Sequence, residues 1–258
     1  MAATYLDKIL QRHREVAAAD DRSVEMLLDE ARSMPPTRGF RAALAASQRL
    51  SVIAEIKRRS PSKGDLNPGL DPAGLAATYE RGGAACLSVL TDAEHFGGSV
   101  ADLQAARAGC TLPVLRKDFT VSERDVLDAR IMGADCVLLI AAALDLGQLA
   151  GFHALAVEVG LDVLVEIHDE AELDHALAAD ATLIGVNQRD LVTFRVDHER
   201  AVRMAAVIPD QAVKVAESGV RGGDDARSLR AAGYHALLVG ETLVTSGDPV
   251  RAVADLIS

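Results

Sequence analysis

The sequence contains no tryptophan, and aromatic residues make up only 3% of its 258 positions. Its 49% hydrophobic content is therefore carried by Ala, Val, Leu and Ile, which suits buried parallel strands under close-packed helices. Basic residues are also scarce. Lys and Arg number 27 against 38 Asp and Glu, a formal net charge of −11, and no basic face for a nucleic acid emerges. The three cysteines (Cys86, Cys110 and Cys136) form no CxxC pair. Cys86 and Cys136 each open an apolar run and read as small core residues in a reducing compartment. HExxH, Cys–His clusters, a GxSxG elbow and a Walker A loop are missing, so no metal site is expected. The N-terminal stretch has no signal-like apolar block, and no run reaches the roughly 18 apolar residues that span a membrane. A soluble, cytoplasmic protein is expected.

What the chain does have is alternation. Strand-like runs occupy 51–57, 86–91, 113–118, 136–142, 162–168, 183–189, 212–218 and 235–241, with helical segments between them. Several of those segments end at glycine (Gly82, Gly109, Gly133, Gly160 and Gly233), where a helix terminus favours a left-handed residue. Eight such units predict a (β/α)8 barrel, taken as a single domain over residues 1–258. An open doubly wound sheet would carry GxGxxG after its first strand, and that fingerprint is absent. Residues 1–50 form an N-terminal helical extension outside the eight units, broken by "MPPTRG" before a short helical "FRAALAAS".

The first strand raises a chemical question. In "VIAEIKRRSPSKG", Glu55 and Lys57 are two apart, so both charges project from the face opposite Val52, Ala54 and Ile56. Barrel enzymes build their sites at the C-terminal ends of the strands. Other strands end the same way: Lys117, Glu166, Asn187 with Arg189, and Glu217 with Ser218, without matching charges at the N-terminal ends. The glycine-rich "ESGVRGGDD" and "VGETLV" follow strands seven and eight, where such barrels commonly hold a phosphate on backbone N–H groups. The expected partner is a small phosphorylated molecule. His168 reads as a polar rim residue.

Taken in order, "EIKRRSPSKG", "LTDAEHFGGS", "LRKDF", "LLIAAAL", "LVEIHDEAEL", "GVNQRDLVTF" and "VAESGV" resemble the indole-3-glycerol phosphate synthases over essentially the whole chain. The resemblance implies ring closure, decarboxylation and dehydration of 1-(2-carboxyphenylamino)-1-deoxyribulose 5-phosphate in tryptophan biosynthesis, without a cofactor. It implies catalytic roles for Lys117 as general acid, Glu166 as its partner, and Lys57, Glu55 and Asn187. Ser60, Phe119, Leu138, Arg189, Glu217 and Ser218 would contact substrate, and Lys57, Gly219, Gly240 and Glu241 its phosphate. It also favours the N-terminal extension folding over the mouth rather than plugging the bottom. Gln188, Arg59 and Glu241 depart from the family's commoner residues; the first two flank the site and would alter binding. A carboxylate at 241 would repel phosphate, so only its backbone N–H is expected to contribute.

Burial and a nearby cation would pull the Lys117 pKa down, and neighbouring carboxylates would counteract that and keep the lysines charged. The alternative reading is another phosphate-binding barrel enzyme, either a sugar-phosphate isomerase or an aldolase using Lys117 as a Schiff base. A catalytically dead scaffold barrel is less compatible with retention of Glu55, Lys57, Lys117, Glu166 and Asn187 together. Oligomeric state is left open, and a monomer would suffice.

Overall fold

The aliphatic runs form eight parallel strands that close on themselves in the computed structural model. Residues 4–190 and 195–257 are described; the last four residues of "GVNQRDLVTF" lie outside them. The barrel strands are β1 (Ser51–Ile56), β2 (Cys86–Leu90), β3 (Val114–Lys117), β4 (Cys136–Ile140), β5 (Asp162–Ile167), β6 (Leu183–Asn187), β7 (Val213–Glu217) and β8 (Ala236–Val239). Each pairs with its neighbours, and β8 closes on β1 with Ser51 to Ala54 in register with Ala236 to Val239. Every expected strand is present, most ending a residue or two early. The polar tips Lys57, His168 and Arg189 lie just past the strands' last residues. A small two-stranded ribbon, Arg59–Ser60 with Gly64–Asp65, decorates the loop after β1.

Helices fill the intervals because their caps and apolar stripes agree. Asp71, Ser99, Ser122, Asp145 and Asp169 each cap a following helix by accepting its backbone N–H groups. Gly133, Gly160 and Gly233 take the left-handed conformation anticipated for them. Gly82 and Gly109 do not. At these two the missing side chain permits close packing: a Cβ on Gly109 would lie 2.5 Å from the Ala73 carbonyl oxygen, and one on Gly82 would lie 2.9 Å from the Val253 Cβ.

The extension consists of three helices rather than one long helical stretch and a short piece: α1 (Tyr5–Ala19), α2 (Val24–Ser33) and α3 (Phe40–Ala45). Ser23 caps α2, so the chain restarts there instead of continuing. Mouth and bottom were posed as alternatives, yet the extension serves both ends. Residues of α1 reach the mouth, and α2 packs along the helix Glu123–Ile131, with Arg22 bidentate to Asp128 at 2.9 and 2.7 Å. The third helix, α3, sits under the bottom with Phe40 and Leu44 fully buried, and its Leu44 carbonyl accepts from Ser51 at the start of β1.

The bottom is more polar than the sequence suggested. Asp135, just before β4, is wholly buried and accepts from the backbone N–H groups of Arg38 (2.7 Å) and Val114 (2.8 Å) and from Arg107. Asp162, at the start of β5, accepts from the Arg41 N–H at 2.8 Å. Charges at the N-terminal strand ends therefore exist, and they tie the extension to the barrel.

Candidate active site

The polar strand ends converge because every parallel strand points the same way and period-2 geometry aims alternate side chains inward. Glu55, Lys57, Ser60, Lys117, Phe119, Leu138, Glu166, Asn187, Arg189, Glu217, Ser218, Gly219, Gly240 and Glu241 all line one cavity of about 280 Å³. Val52, Ala54 and Ile56 do not reach it, so the two faces of β1 separate as their alternation requires.

At its centre the Lys117 Nζ donates to Glu166 Oε2 at 2.9 Å and to Glu217 Oε2 at 3.2 Å. Asn187 Nδ2 donates to the other Glu166 oxygen at 3.0 Å, while the Asn187 Oδ1 accepts from the Arg189 N–H at 3.0 Å. Lys57 is ion-paired with Glu55, whose second oxygen accepts from Ser88 at 3.5 Å. Burial alone would depress the Lys117 pKa, but Glu166, Glu217 and Glu55 outweigh it and push it well above the ordinary 10.5. The carboxylates thus do more than offset the depression. They reverse it.

The two carboxylates on Lys117 divide. Burial would raise the Glu166 pKa, but Lys117, His168 and the Asn187 hydrogen bond hold it below the ordinary range. Burial raises Glu217; Lys117 opposes this, but Glu166 and Glu55 reinforce it, so its pKa lies above the usual carboxylate value. Two neighbouring carboxylates are thus pushed apart, one held ionised and one inclined to keep its proton. Glu217 Oε1 and Ser60 Oγ are buried without a protein partner.

Some residues were misjudged from sequence. His168 lies behind Glu166 rather than on the rim, with Nε2 3.9 Å from Glu166 Oε1 and Nδ1 3.0 Å from Glu172. Gln188 is buried and outside the cavity; its amide donates 2.7 Å to the Ser218 carbonyl. There it braces an unusual turn in which Ser218 (φ 66°) and Gly219 (φ 74°) are both left-handed. Arg59 likewise points away from the cavity, onto the Ala93 and Glu94 carbonyls of the loop after β2. The side chain of Glu241 meets Lys63 at 3.5 Å.

Others were missed. Tyr5, Leu6 and Ile9 of α1 roof the cavity, and no local pattern shows what an amphipathic face will cover. Gly185 on β6 makes room for Glu217, since a Cβ there would collide with Oε1. Gly240, already expected in the site, lines the cavity and in addition does the same for Glu55. His13, Asp92 and Asp118 come together beside the roof, and theirs is the grouping among the described residues whose donor atoms approach within 4.8 Å.

A family model, Indole-3-glycerol phosphate synthase, matches residues 6–256. The chain belongs to the indole-3-glycerol phosphate synthase family. The synthase of Parafrankia sp. (strain EAN1pec) is 50% identical over 255 residues, covering 98% of this chain and 95% of that one. The synthase of Leptothrix cholodnii is 48% identical over 258 residues, covering 98% of each. Among solved structures, thiamine phosphate pyrophosphorylase from Pyrococcus furiosus superposes with a TM-score of 0.61 at 17% identity. It covers 80% of this chain and 93% of its own, a likeness of fold alone. Membership of the synthase family makes this chain a carbon–carbon lyase of tryptophan biosynthesis acting on a small phosphorylated substrate. No helix among the described residues is long and apolar enough to cross a membrane.

Proposed function

We propose that the cavity closes the indole ring of 1-(2-carboxyphenylamino)-1-deoxyribulose 5-phosphate with Lys117 as the general acid. The observation that carries this assignment is the Lys117 ammonium clamped between Glu166 and Glu217 inside the mouth. A ring bearing a carboxylate is a poor nucleophile, so the ketone must become more electrophilic as it is attacked. Lys117 gives its proton to the ketone oxygen as the carboxylate-bearing ring carbon bonds to the carbonyl carbon. Carbon dioxide then leaves, its bonding electrons restoring the aromatic ring. Dehydration needs a base for the methylene C–H and an acid for the departing hydroxyl. Glu166, held ionised, is the base; Lys57 supplies the proton and holds substrate anions. The sequence consumes one proton overall, which recharges Lys117.

The remaining residues position the substrate. Glu55 and Asn187 orient the two lysines and Glu166. The free Oε1 of Glu217 and Oγ of Ser60 are available to substrate hydroxyls. Gly219, Gly240 and the N–H of residue 241 form the corner assigned to the phosphate, where the backbone can approach an anion closely. Phe119, Leu138 and Arg189 complete the substrate walls. A raised Glu217 pKa also matters, because a protonated carboxyl repels a substrate bearing both a carboxylate and a phosphate less than a carboxylate does. A monomer acting in the cytoplasm is sufficient for this chemistry.

Incubation with the substrate, following indole fluorescence and carbon dioxide release, tests the reading directly. Borohydride added with substrate should leave no adduct on Lys117; a covalent adduct would favour the aldolase alternative.

A further inference from the structure

Roof and catalytic strand meet at one point outside the reacting groups. His13, on α1, directs its Nε2 to Asp92 Oδ2 at 3.1 Å and lies 3.9 Å from Asp118 Oδ1. Asp118 directly follows Lys117, and Asp92 follows β2. Both carboxylates are buried, at 4% and 6% side-chain exposure, and His13 is at 20%. Each is already engaged elsewhere. Asp92 accepts from the backbone N–H groups of His95 (2.6 Å) and Phe96 (3.2 Å), and Asp118 from the Phe119 N–H (2.8 Å), Arg116 (3.2 Å) and Thr91. Both carboxylates are therefore held within their own segments, and His13 is the contact that α1 makes with them.

We propose that His13 is a positioning residue that latches α1 over the mouth by bridging Asp92 and Asp118, so that losing this bridge frees the roof and weakens substrate binding. The proposal rests on reading the mouth cavity as the substrate site. The contacts on either side of His13 in the helix support it. Arg14 donates to the Ala143 carbonyl at 2.8 Å, and Tyr5, Leu6 and Ile9 lie over the cavity. The ring of His13 also packs 5.3 Å from that of Phe119, a cavity wall.

Groups facing His13 are mostly acidic. Asp92 and Glu94 come from the loop after β2 with His95, whose Nδ1 shares Asp92 Oδ2 at 3.2 Å; Asp118, Arg116 and Asp125 come from β3 and beyond. On its own helix, Tyr5, Arg12 and Arg14 are the titratable or charged neighbours. Burial would lower the His13 pKa, yet the Asp92 hydrogen bond and the fields of Asp118, Asp92 and Asp125 raise it above 6.5. A raised histidine pKa means that the latch is complete below 6.5 and is lost as pH rises through the folded value.

The test uses the full chain and two readouts. Steady-state kinetics with the ribulose phosphate substrate should show His13→Ala raising KM about tenfold, with kcat changed less than twofold. In the parent, KM should climb from about pH 6 to pH 9, and in His13→Ala the climb should be distinctly shallower, leaving only the part that deprotonation of Glu217 causes. His13→Lys, a permanent cation, should restore a low KM with only the same shallow climb. Hydrogen exchange of the α1 amides, measured without substrate, should show the same pattern, with protection lost in the alanine variant and at high pH. This second readout separates failure of the latch from failure of the synthase reading. Unchanged KM and exchange in His13→Ala, or a KM climb in it as steep as the parent's, would overturn the latch. So would loss of α1 protection on adding EDTA to the parent, which would put a metal ion where the proton is placed.

Discussion

Replacing Lys117 with methionine deletes one charge while keeping much of the side chain's length, and it separates what the lysine does for catalysis from what it does for stability. Loss of a general acid typically costs about 10²–10⁴-fold in rate, and kcat should fall by that amount while KM stays within a few-fold. The stability effect follows from the two carboxylates left behind, Glu166 and Glu217, each only 2% exposed. Removing one partner of a buried pair costs about 3–5 kcal/mol when the remaining charge stays ionised. In the parent, the depressed Glu166 pKa contributes stability that is present above the ordinary 4.5 and is lost as pH falls through the folded value. Without Lys117, burial dominates and the Glu166 pKa should rise. Its ionised form would then cost stability increasingly as pH rises. The penalty of Lys117→Met should near about pH 5 already include the parent's lost Glu166 contribution, and it should grow toward about pH 8, where an orphaned carboxylate held ionised adds up to about 3–5 kcal/mol. Urea unfolding at the two pH values, with indole fluorescence for kcat and KM, measures both effects. Turnover within a few-fold of the parent would refute the general-acid role, and a penalty independent of pH would refute the electrostatic account.

Glu217→Gln should change stability with the opposite sign: Glu217's raised pKa favours folding at low pH and loses that contribution as pH rises, so the glutamine variant should gain relative to the parent toward alkaline pH while activity falls. Equal pH profiles would count against it. Lys57→Ala should raise KM and lower kcat together, and an unchanged KM would remove Lys57 from substrate binding. Truncation of residues 1–19 removes the roof but leaves α3 in place, so KM should rise while the thermal unfolding transition stays cooperative; unaltered kinetics would dismiss the roof. Glu241→Ser should bind substrate at least as well as the parent, because it frees Lys63 from an exposed pair worth at most about 1 kcal/mol. Gly240→Val should bind poorly and also disturb Glu55, whose carboxylate a Cβ would strike; calorimetry with inorganic phosphate and substrate distinguishes the two variants.

The barrel was legible because its signal repeats along the chain. Each strand is a short aliphatic run, and eight of them in alternation leave few other topologies. The inward charges were equally legible, since Glu55 in β1 and Lys57 just past it break an apolar run at a spacing that fixes their face. Roles depending on contacts between distant segments were not. Gln188 was expected to flank the site and alter binding; it lies beside Asn187 but turns away from the cavity to brace Ser218. His13 gave no sign at all, because Asp92 lies 79 positions away in sequence. Gly185 was visible only as a glycine, and Gly240 only as part of the phosphate corner, until the carboxylates that occupy their missing side-chain space were located.

The two ends of the barrel treat buried charge differently, and the difference separates structure from chemistry. At the bottom, Asp135 receives the N–H groups of Arg38 and Val114 and the guanidinium of Arg107, so a fully buried carboxylate is satisfied on every side. Such a group fixes where the extension attaches, and breaking it would leave an unpaired charge. At the mouth, Glu217 is as deeply buried yet has one oxygen with no partner, and its pKa is raised because its protein partners do not offset burial. No gain in folding explains that arrangement, since an apolar side chain of similar size would avoid the cost. The expense falls at the C-terminal end of the strands, where barrel enzymes in general place their chemistry, next to the ammonium assigned to protonate the substrate. An incompletely satisfied carboxyl there keeps an acceptor free for a ligand and holds a proton more readily than its neighbour Glu166. Stability at this end is therefore sacrificed locally, and the satisfied network at the bottom, with α3 as its plug, lets the barrel tolerate it.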